Sequence, residues 1–217
     1  MTKRLLDIAC AALGLALAAP LLALAALAVR LSSPGPVLFK SPRVGRGGRP
    51  FAMYKLRTMR VDHGGLTSPI TRARDPRVFP AGALLRRTKI DELPQLVNVL
   101  KGDMSIVGPR PEDPAIVAAH YTGEQRHTLE VRPGLTSPGT LYYEIHALPE
   151  LDAEDAEARY VTRIMPRKLA MDLAYARRAT LVSDLAVIAR TAAVVAAQMM
   201  QRRRPPAPRL TSREDLA

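Results

Sequence analysis

The sequence predicts a membrane-associated α/β fold, and three observations carry that prediction. The segment Ile8 to Val29 holds 22 residues without a charge, rich in Ala and Leu. Two short β-prone runs, Val37-Leu38-Phe39 and Phe51-Ala52-Met53-Tyr54, flank a Gly-rich turn. Further along, apolar residues recur at helical spacing, as Leu93, Leu96, Val97 and Leu100 do. The organisation expected is an N-terminal membrane helix over residues 1–33, a globular domain with interfacial helices over 34–200, and a basic disordered tail over 201–217.

The apolar segment comes first. At about 1.5 Å per residue a straight helix of this size reaches roughly 33 Å, enough to cross a bilayer core. Two details weigh against a simple span. Pro20 sits near its middle, where proline removes a backbone bond and disfavours a continuous helix. Cations also stand on both sides: Lys3 and Arg4 before, and Arg30, Lys40, Arg43, Arg46 and Arg49 after. The positive-inside rule asks for one basic flank. A helix that turns at Pro20 and returns to the same side satisfies both details, so a spanning and a re-entrant form stay open. A cleaved signal peptide is the third reading, although the run exceeds the usual apolar core of about 7–15 residues.

Ser32-Ser33-Pro34-Gly35-Pro36 stops the helix. The two strand candidates then form a hairpin around Val44-Gly45-Arg46-Gly47-Gly48-Arg49-Pro50, which lacks the Gly-Lys-Ser/Thr ending of a phosphate-binding Walker loop and reads as a turn. In Lys55-Leu56-Arg57-Thr58-Met59-Arg60, alternating cations give an extended segment one basic edge. His63 to Arg74 reads as a loop. Helices are expected at Ala81 to Arg87, Glu92 to Lys101 (ended by Gly102) and Ala115 to Thr128. Val131 to Thr140 is a Pro/Gly loop, and Leu141 to Ile145 a strand. Leu151 to Arg159 is acidic and exposed; Met165 to Ala179 is a helix with Lys and Arg on one face. Leu181 to Met200 is apolar but carries Asp184 and Arg190, which suits a core helix or one lying on a membrane surface. No internal repeat is present.

Composition bounds the partners. The net charge is +12, from 32 Lys and Arg against 20 Asp and Glu, and implies a polyanionic neighbour. Aromatics are scarce, with no Trp, three Phe and six Tyr, which argues against a nucleic-acid platform built on base stacking. The single Cys10 excludes an internal disulfide and a Cys-based zinc cluster. His63, His120, His127 and His146 show no metal-ligand spacing.

Chemistry concentrates between Lys89 and Pro111. Asp91 and Glu92 are adjacent carboxylates at an expected helix start, flanked by Arg86, Arg87, Lys89, Lys101 and Arg110. Taken alone, Asp91 reads as a plain helix N-cap. The functional alternative is a carboxylate that attacks phosphorus, with Glu92 holding Mg2+ and Arg86 and Arg110 offsetting phosphate charge.

At these residues the chain resembles the bacterial sugar transferases, and more narrowly the monotopic phosphoglycosyl transferases that act on polyprenyl phosphate. The resemblance runs through Lys3-Arg4-Leu5-Leu6-Asp7, Lys55-Leu56-Arg57-Thr58-Met59, Asp75-Pro76-Arg77-Val78, and Arg86 through Leu96. It continues through Asn98 to Ser105, Val107-Gly108-Pro109-Arg110-Pro111, and Val131-Arg132-Pro133-Gly134. It implies a re-entrant anchor broken at Pro20, with the catalytic domain on the cytoplasmic face of a bacterial inner membrane. It implies Asp91 as nucleophile, Glu92 as its Mg2+-binding neighbour, and a ping-pong transfer of phosphosugar from a UDP-sugar to undecaprenyl phosphate with release of UMP. Arg86, Arg87, Lys55, Arg57, Arg110 and Arg132 are the candidates for binding phosphate and nucleotide. Met165 to Met200 is the candidate for amphipathic helices at the membrane surface, and a homodimer stays open.

The chain also departs from that pattern. Ala19 precedes Pro20 where the family commonly has Ser, and Ser137 to Glu144 replaces a run in which a cation is expected near Glu144. The first bears on how the freed backbone at Pro20 is satisfied and how strongly the helix bends there, the second on sugar and nucleotide identity. Tyr142 and Tyr143 suit a sugar pocket or strand packing, and Asp75 and Asp103 suit turn and cap roles. The rival readings are a non-catalytic membrane adaptor with a basic surface, in which Asp91 is only a cap, and a tethered nucleic-acid binder.

Overall fold

The computed structural model describes residues 2–61, 75–147 and 156–201. The loop expected over His63 to Arg74, the acidic residues 151–155 and the tail beyond Gln201 lie outside them.

Helix α1 runs Thr2–Ser32 with Pro20 inside it. The break expected at Pro20 is therefore absent. Proline at an exposed position removes one backbone donor, and the turns on either side hold the helix together. At about 1.5 Å per residue, α1 is roughly 46 Å long. One stripe packs along this length: Asp7, Ala11, Leu15, Leu22, Ala25 and Val29, at steps of three, four and seven. Ala11 and Leu15 meet Met53, Leu96, Val99 and Met104. Leu22, Ala25 and Val29 meet Leu56, Phe79 and Leu85. The other face leaves Leu13, Leu17, Leu24, Leu27 and Leu31 all more than half exposed. A continuous apolar strip of that kind marks an interaction surface.

Both ends of α1 are tied to the globular part. Arg4 donates to Val99 O (2.6 Å) and Leu100 O (3.0 Å), capping carbonyls at the end of the next-but-one helix. Buried Asp7 accepts from Ser105 Oγ and Ile106 N, each at 2.9 Å. At the far end, Arg57 donates to Ser33 O (2.7 Å), Ser33 Oγ (2.8 Å) and Pro36 O (2.6 Å), and lies over the Phe79 ring.

The expected hairpin is present and longer than its apolar runs. Strands β1 (Leu38–Val44) and β2 (Pro50–Leu56) pair antiparallel, with Lys40 opposite Tyr54. Gly47 and Gly48 supply positive φ at the turn. Helix α2 (Pro80–Thr88) follows, ended by Lys89 in the left-handed region (φ 58, ψ 13). The helix expected from Glu92 begins later: Ile90–Glu92 is a 3-10 turn, and α3 is Gln95–Lys101. A second, parallel pair joins β3 (Ser105–Val107) to β4 (Gly134–Thr136), and at three residues each these strands are too short to show a period. Between them, the helix expected over Ala115 to Thr128 is split into α4 (Pro114–His120), α5 (Gly123–Arg126) and a 3-10 turn at His127–Glu130. The interruption is chemical: Thr122 and Gln125 form a capping box that starts a new helix.

The strand expected at Leu141 to Ile145 is helical. Ser137 Oγ accepts from Thr140 N (2.9 Å) and Pro138 occupies the first turn, so α6 (Pro138–Tyr142) starts there and passes into a π turn at Tyr143–Ala147. Helix α7 (Ala156–Arg159), a π turn at Tyr160–Ile164 and α8 (Met165–Ala176) follow. The basic face expected on α8 is not uniform, because Lys168 points inward and is 3% exposed. Helix α9 (Leu181–Gln201) lays Val187 on Val107 and Leu141. Its outer face exposes Val182, Leu185 and Met200. By length and composition alone, α1 and α9 are both apolar enough to cross a membrane.

The two parallel strands touch through glycine. A Cβ on Gly134 would stand 2.1 Å from Gly108 N, and one on Gly108 would stand 2.4 Å from Arg132 O. Both obstacles are backbone and cannot rotate away. Gly134→Ala is therefore expected to cost about 1–3 kcal/mol or more, seen as a lowered thermal midpoint of the purified protein in detergent. An unchanged midpoint would contradict this packing.

Candidate active site

Asp91 and Glu92 ride on the 3-10 turn between α2 and α3, where Lys89 in its left-handed conformation redirects the chain. Asp91 is 6% exposed, and its Oδ1 is buried with no hydrogen-bond partner. It caps neither the turn nor α3, so the plain cap reading fails. Glu92 is fully engaged: Oε1 accepts from Lys55 Nζ (3.0 Å), and Arg110 donates through both terminal nitrogens to the two carboxylate oxygens. That forked pairing is the strong, oriented form of a carboxylate–guanidinium contact.

The surrounding elements hold this pair in place. Asn98 on α3 accepts from Tyr54 N (3.0 Å) and donates to Ala52 O (2.8 Å), pinning β2, and hence Lys55, against α3. Asn98 also donates to Asp103 (3.2 Å), which sits at the turn expected for it. The Arg110 turn is clamped between the parallel strands: Gly108 N donates to Thr136 O and Gly134 N to Pro109 O, both at 2.9 Å. Behind it, Glu112 accepts from Tyr160 Oη and from Lys168 Nζ (3.2 Å), and Arg43 pairs with Asp113 at 3.1 Å. A small cavity opens between this turn and Val44, Tyr121, Thr128 and Leu129.

The sequence candidates separate into two groups. Lys55, Arg110 and Arg86 converge on the carboxylates; Arg86 donates to Thr58 Oγ1 at 2.7 Å and its charge acts on Asp91. Arg57 and Arg132 do not join them in this way. Arg57 is buried with its guanidinium on Ser33, Pro36 and Met59, and Arg132 donates to Gly102 O at 2.9 Å. Arg87 lies exposed on α2. Tyr142 and Tyr143 belong to a helical segment, where Tyr143 stacks edge-on against Tyr160. Asp75 accepts from Arg77 N and Nε, as a turn residue does. Three residues have no role in the site from sequence: Gln95, Glu144 and Lys89, the last legible only as a flanking cation. Lys89 binds Glu144 at 2.6 Å, and the amide of Gln95 is fully buried with both polar atoms unpartnered. The legible signal for Gln95 is its place four residues after Asp91, one helical turn on; for Glu144, it is its own departure from the family pattern.

Electrostatics push the two carboxylates apart. Burial raises Asp91 above the ordinary aspartate range and the neighbouring Glu92 charge adds to it, against the opposing pull of Lys55, Arg86 and Lys89. Burial would raise Glu92 as well, but Arg110, Lys55 and Lys89 override it and hold Glu92 well below the usual range. Desolvation lowers Lys55 and Arg86, while the Glu92 charge raises Arg110 further. The pair thus loses its protons in order, Glu92 first and Asp91 second.

Among the described residues no group of three or more His, Cys, Asp or Glu stands ready for a metal. Two carboxylates are nonetheless a fit for Mg2+, which takes one or two of them and completes its shell with substrate phosphates and water. The unpartnered Asp91 Oδ1 is the available ligand, whereas Glu92 would have to exchange a cation for the ion.

Comparison with known proteins identifies the family. A family model described as bacterial sugar transferase matches residues 1–198. The chain is 52% identical over 112 residues, 52% of its length, to a Bacillus subtilis (strain 168) protein named for undecaprenyl-phosphate N-acetylgalactosaminyl 1-phosphate transfer, and covers 63% of that protein. It is 41% identical over 197 residues to a UDP-glucose:undecaprenyl-phosphate glucose-1-phosphate transferase of Caulobacter vibrioides (strain ATCC 19089 / CIP 103742 / CB 15), with 88% of this chain and 68% of the relative covered. It is 38% identical over 194 residues to an exopolysaccharide production protein of Rhizobium leguminosarum bv. phaseoli, covering 86% of this chain and 90% of the relative. Of several longer relatives the chain spans about a third: 35%, 30% and 34%.

The order of ionisation is testable on the resting protein. Glu92→Gln removes the like charge beside Asp91 and leaves Lys55, Arg86 and Lys89 to act on it, so the Asp91 carboxyl should titrate at lower pH, as read by carboxyl-carbon NMR. A rise, or no change, would contradict the assigned electrostatics.

Proposed function

The chain belongs to the bacterial sugar transferase family, and from that premise we propose that it transfers a sugar 1-phosphate from a UDP-sugar to undecaprenyl phosphate. The reading rests most on one observation: a buried Asp91 oxygen without a partner, set beside a Glu92 already neutralised by Lys55 and Arg110. Such an oxygen is kept from competing hydrogen bonds and sits in a field shaped by cations.

In the first half-reaction Asp91 attacks the β-phosphorus of the donor. The new bond is Asp91 O–P; the bond from that phosphorus to the bridging oxygen breaks, and UMP leaves with the electron pair. In the second, an oxygen of undecaprenyl phosphate attacks the same phosphorus, the acyl phosphate bond breaks, and Asp91 returns as a carboxylate. This ping-pong order needs charge to be offset at the phosphates, and Lys55, Arg86 and Arg110 are the groups gathered to do it. Mg2+, held by Asp91 and Glu92, would supply further offset of phosphate charge. Arg57 and Arg132 act instead by bracing the backbone on which the site is built.

We assign the exposed leucine face of α1 and the outer face of α9 to the membrane of a bacterial cell, with the site on its cytoplasmic side. Support for a one-sided anchor comes from the two ends of α1. Arg4 and Asp7 at one end and Val29 and Ser33 at the other all bind the same globular part. A helix crossing the bilayer would set its ends on opposite faces, where one globular part could not bind both. The names of the relatives support assembly of undecaprenyl-linked sugars for an exopolysaccharide as the setting.

Two outcomes follow. Purified protein with Mg2+ and undecaprenyl phosphate should release UMP from at least one UDP-sugar, and Asp91→Asn should abolish that release; full activity in the variant would refute the nucleophile, and silence of the wild type on a UDP-sugar panel would favour a plain adaptor. Cysteines placed at Thr2 and Ser32 in a Cys10→Ala background should both react with an impermeant maleimide from the cytoplasmic side. Labelling from opposite sides would refute the one-sided anchor.

A further inference from the structure

The structure sets Glu144 at the rim of the site. Its Oε1 accepts from Lys89 Nζ at 2.6 Å. Lys89 stands two residues before Asp91, and its charge acts on both Asp91 and Glu92. The field of Glu144 in turn reaches Arg110. The side chain of Glu144 is 14% exposed, yet its second oxygen, Oε2, is buried and has no hydrogen-bond partner. An unmatched carboxylate oxygen withdrawn from water is costly unless a donor arrives to meet it. Its backbone supports that waiting position. Glu144 lies in the π turn Tyr143–Ala147, an irregular helix of the kind found at functional sites, and its carbonyl accepts from Gln198 on α9 at 3.4 Å.

A purely structural role does not account for these features together. A plain stabilising ion pair would satisfy both carboxylate oxygens or leave the second one in water. The pair also has competing demand on it, because a diphosphate entering among Lys55, Arg86 and Arg110 offers Lys89 a second anion. If Lys89 turns to the donor phosphate, both Glu144 oxygens become free acceptors at the rim of the site, next to the cations that hold the diphosphate. The group attached to that diphosphate is the sugar, whose hydroxyls are the donors at hand. A carboxylate accepts from neighbouring hydroxyls and repels a second carboxylate.

Resting on the transfer proposed above, we infer that Glu144 is a specificity-determining residue: it accepts hydrogen bonds from hydroxyls of a neutral hexose on the donor and rejects sugars that carry their own carboxylate. Lys89 is its positioning partner, holding it at the rim until the donor diphosphate binds.

The test compares donors. UMP release is measured as kcat/KM for UDP-glucose, UDP-galactose, UDP-N-acetylgalactosamine and UDP-glucuronate, with wild type, Glu144→Gln and Glu144→Asp. Wild type should prefer its best neutral donor to the uronate. Glu144→Gln should narrow that ratio by about tenfold or more, through a loss on the neutral donor and a gain on the uronate. Glu144→Asp keeps the charge and should keep the ratio near the wild-type value even where overall activity falls. An equal loss on every donor in Glu144→Gln, or a wild type that prefers the uronate, would overturn the inference while leaving the transfer itself standing. A wild type inactive on the whole panel would remove the transfer, and this inference with it. Should Glu144→Gln not fold, a Glu144→Asp variant with a collapsed ratio overturns the inference alone.

Discussion

Two carboxylates adjacent in sequence and both withdrawn from water repel each other, and the rest of the site depends on how that repulsion is met. Here it is met unequally. Glu92 takes a forked guanidinium from Arg110 and an ammonium from Lys55, each delivered from a different element. Asp91 receives only the more distant field of Lys55, Arg86 and Lys89, and keeps an oxygen without a partner. The arrangement makes one acid a fixed anion and leaves its neighbour poised. The short irregular turn at Ile90–Glu92 sets which acid meets Arg110 and Lys55 and which does not.

Most of the fold can be read as scaffolding for the three cations. Asn98 ties β2, and so Lys55, to α3. The parallel contact between β3 and β4, possible only with glycine at the crossing, fixes the turn that carries Arg110. Glu112, two residues later, is held by the buried Lys168 and Tyr160, so α8 braces that turn from behind. Lys168 stays charged in spite of complete burial because two hydroxyphenyl groups and Glu112 surround it; burial alone would lower it. The anchor enters the same frame through Asp7, which bonds β3 one step before the Arg110 turn. The position of α1 and the placement of Arg110 are thereby mechanically joined.

Much of this was legible in the sequence where a side chain's chemistry is local. The charge-free run gave α1, two short β-prone runs around a Gly-rich turn gave the hairpin, and paired acids among cations marked the site. Failures came where two local signals competed. Pro20 reads as a breaker, yet a long apolar helix absorbs the loss of one exposed bond. Leu141 to Ile145 has strand composition, but Ser137 and Pro138 start a helix just before it. The parallel strands at Ser105–Val107 and Gly134–Thr136 were invisible because three residues show no period and their partner lies far along the chain. Long-range partners likewise decided which arginines serve the site: nothing local to Arg57 or Arg132 reveals that carbonyls of Ser33 and Gly102 claim them.

The central claim is that the Asp91 carboxylate itself becomes joined to the phosphosugar. Its most direct measurement is peptide mapping by mass spectrometry after an acid quench of the protein held with Mg2+ and its UDP-sugar, without lipid acceptor. The account requires a hexose phosphate adduct on the peptide bearing Asp91, chased away by undecaprenyl phosphate. An adduct on a different residue, or product formed with no adduct at any time, would contradict it.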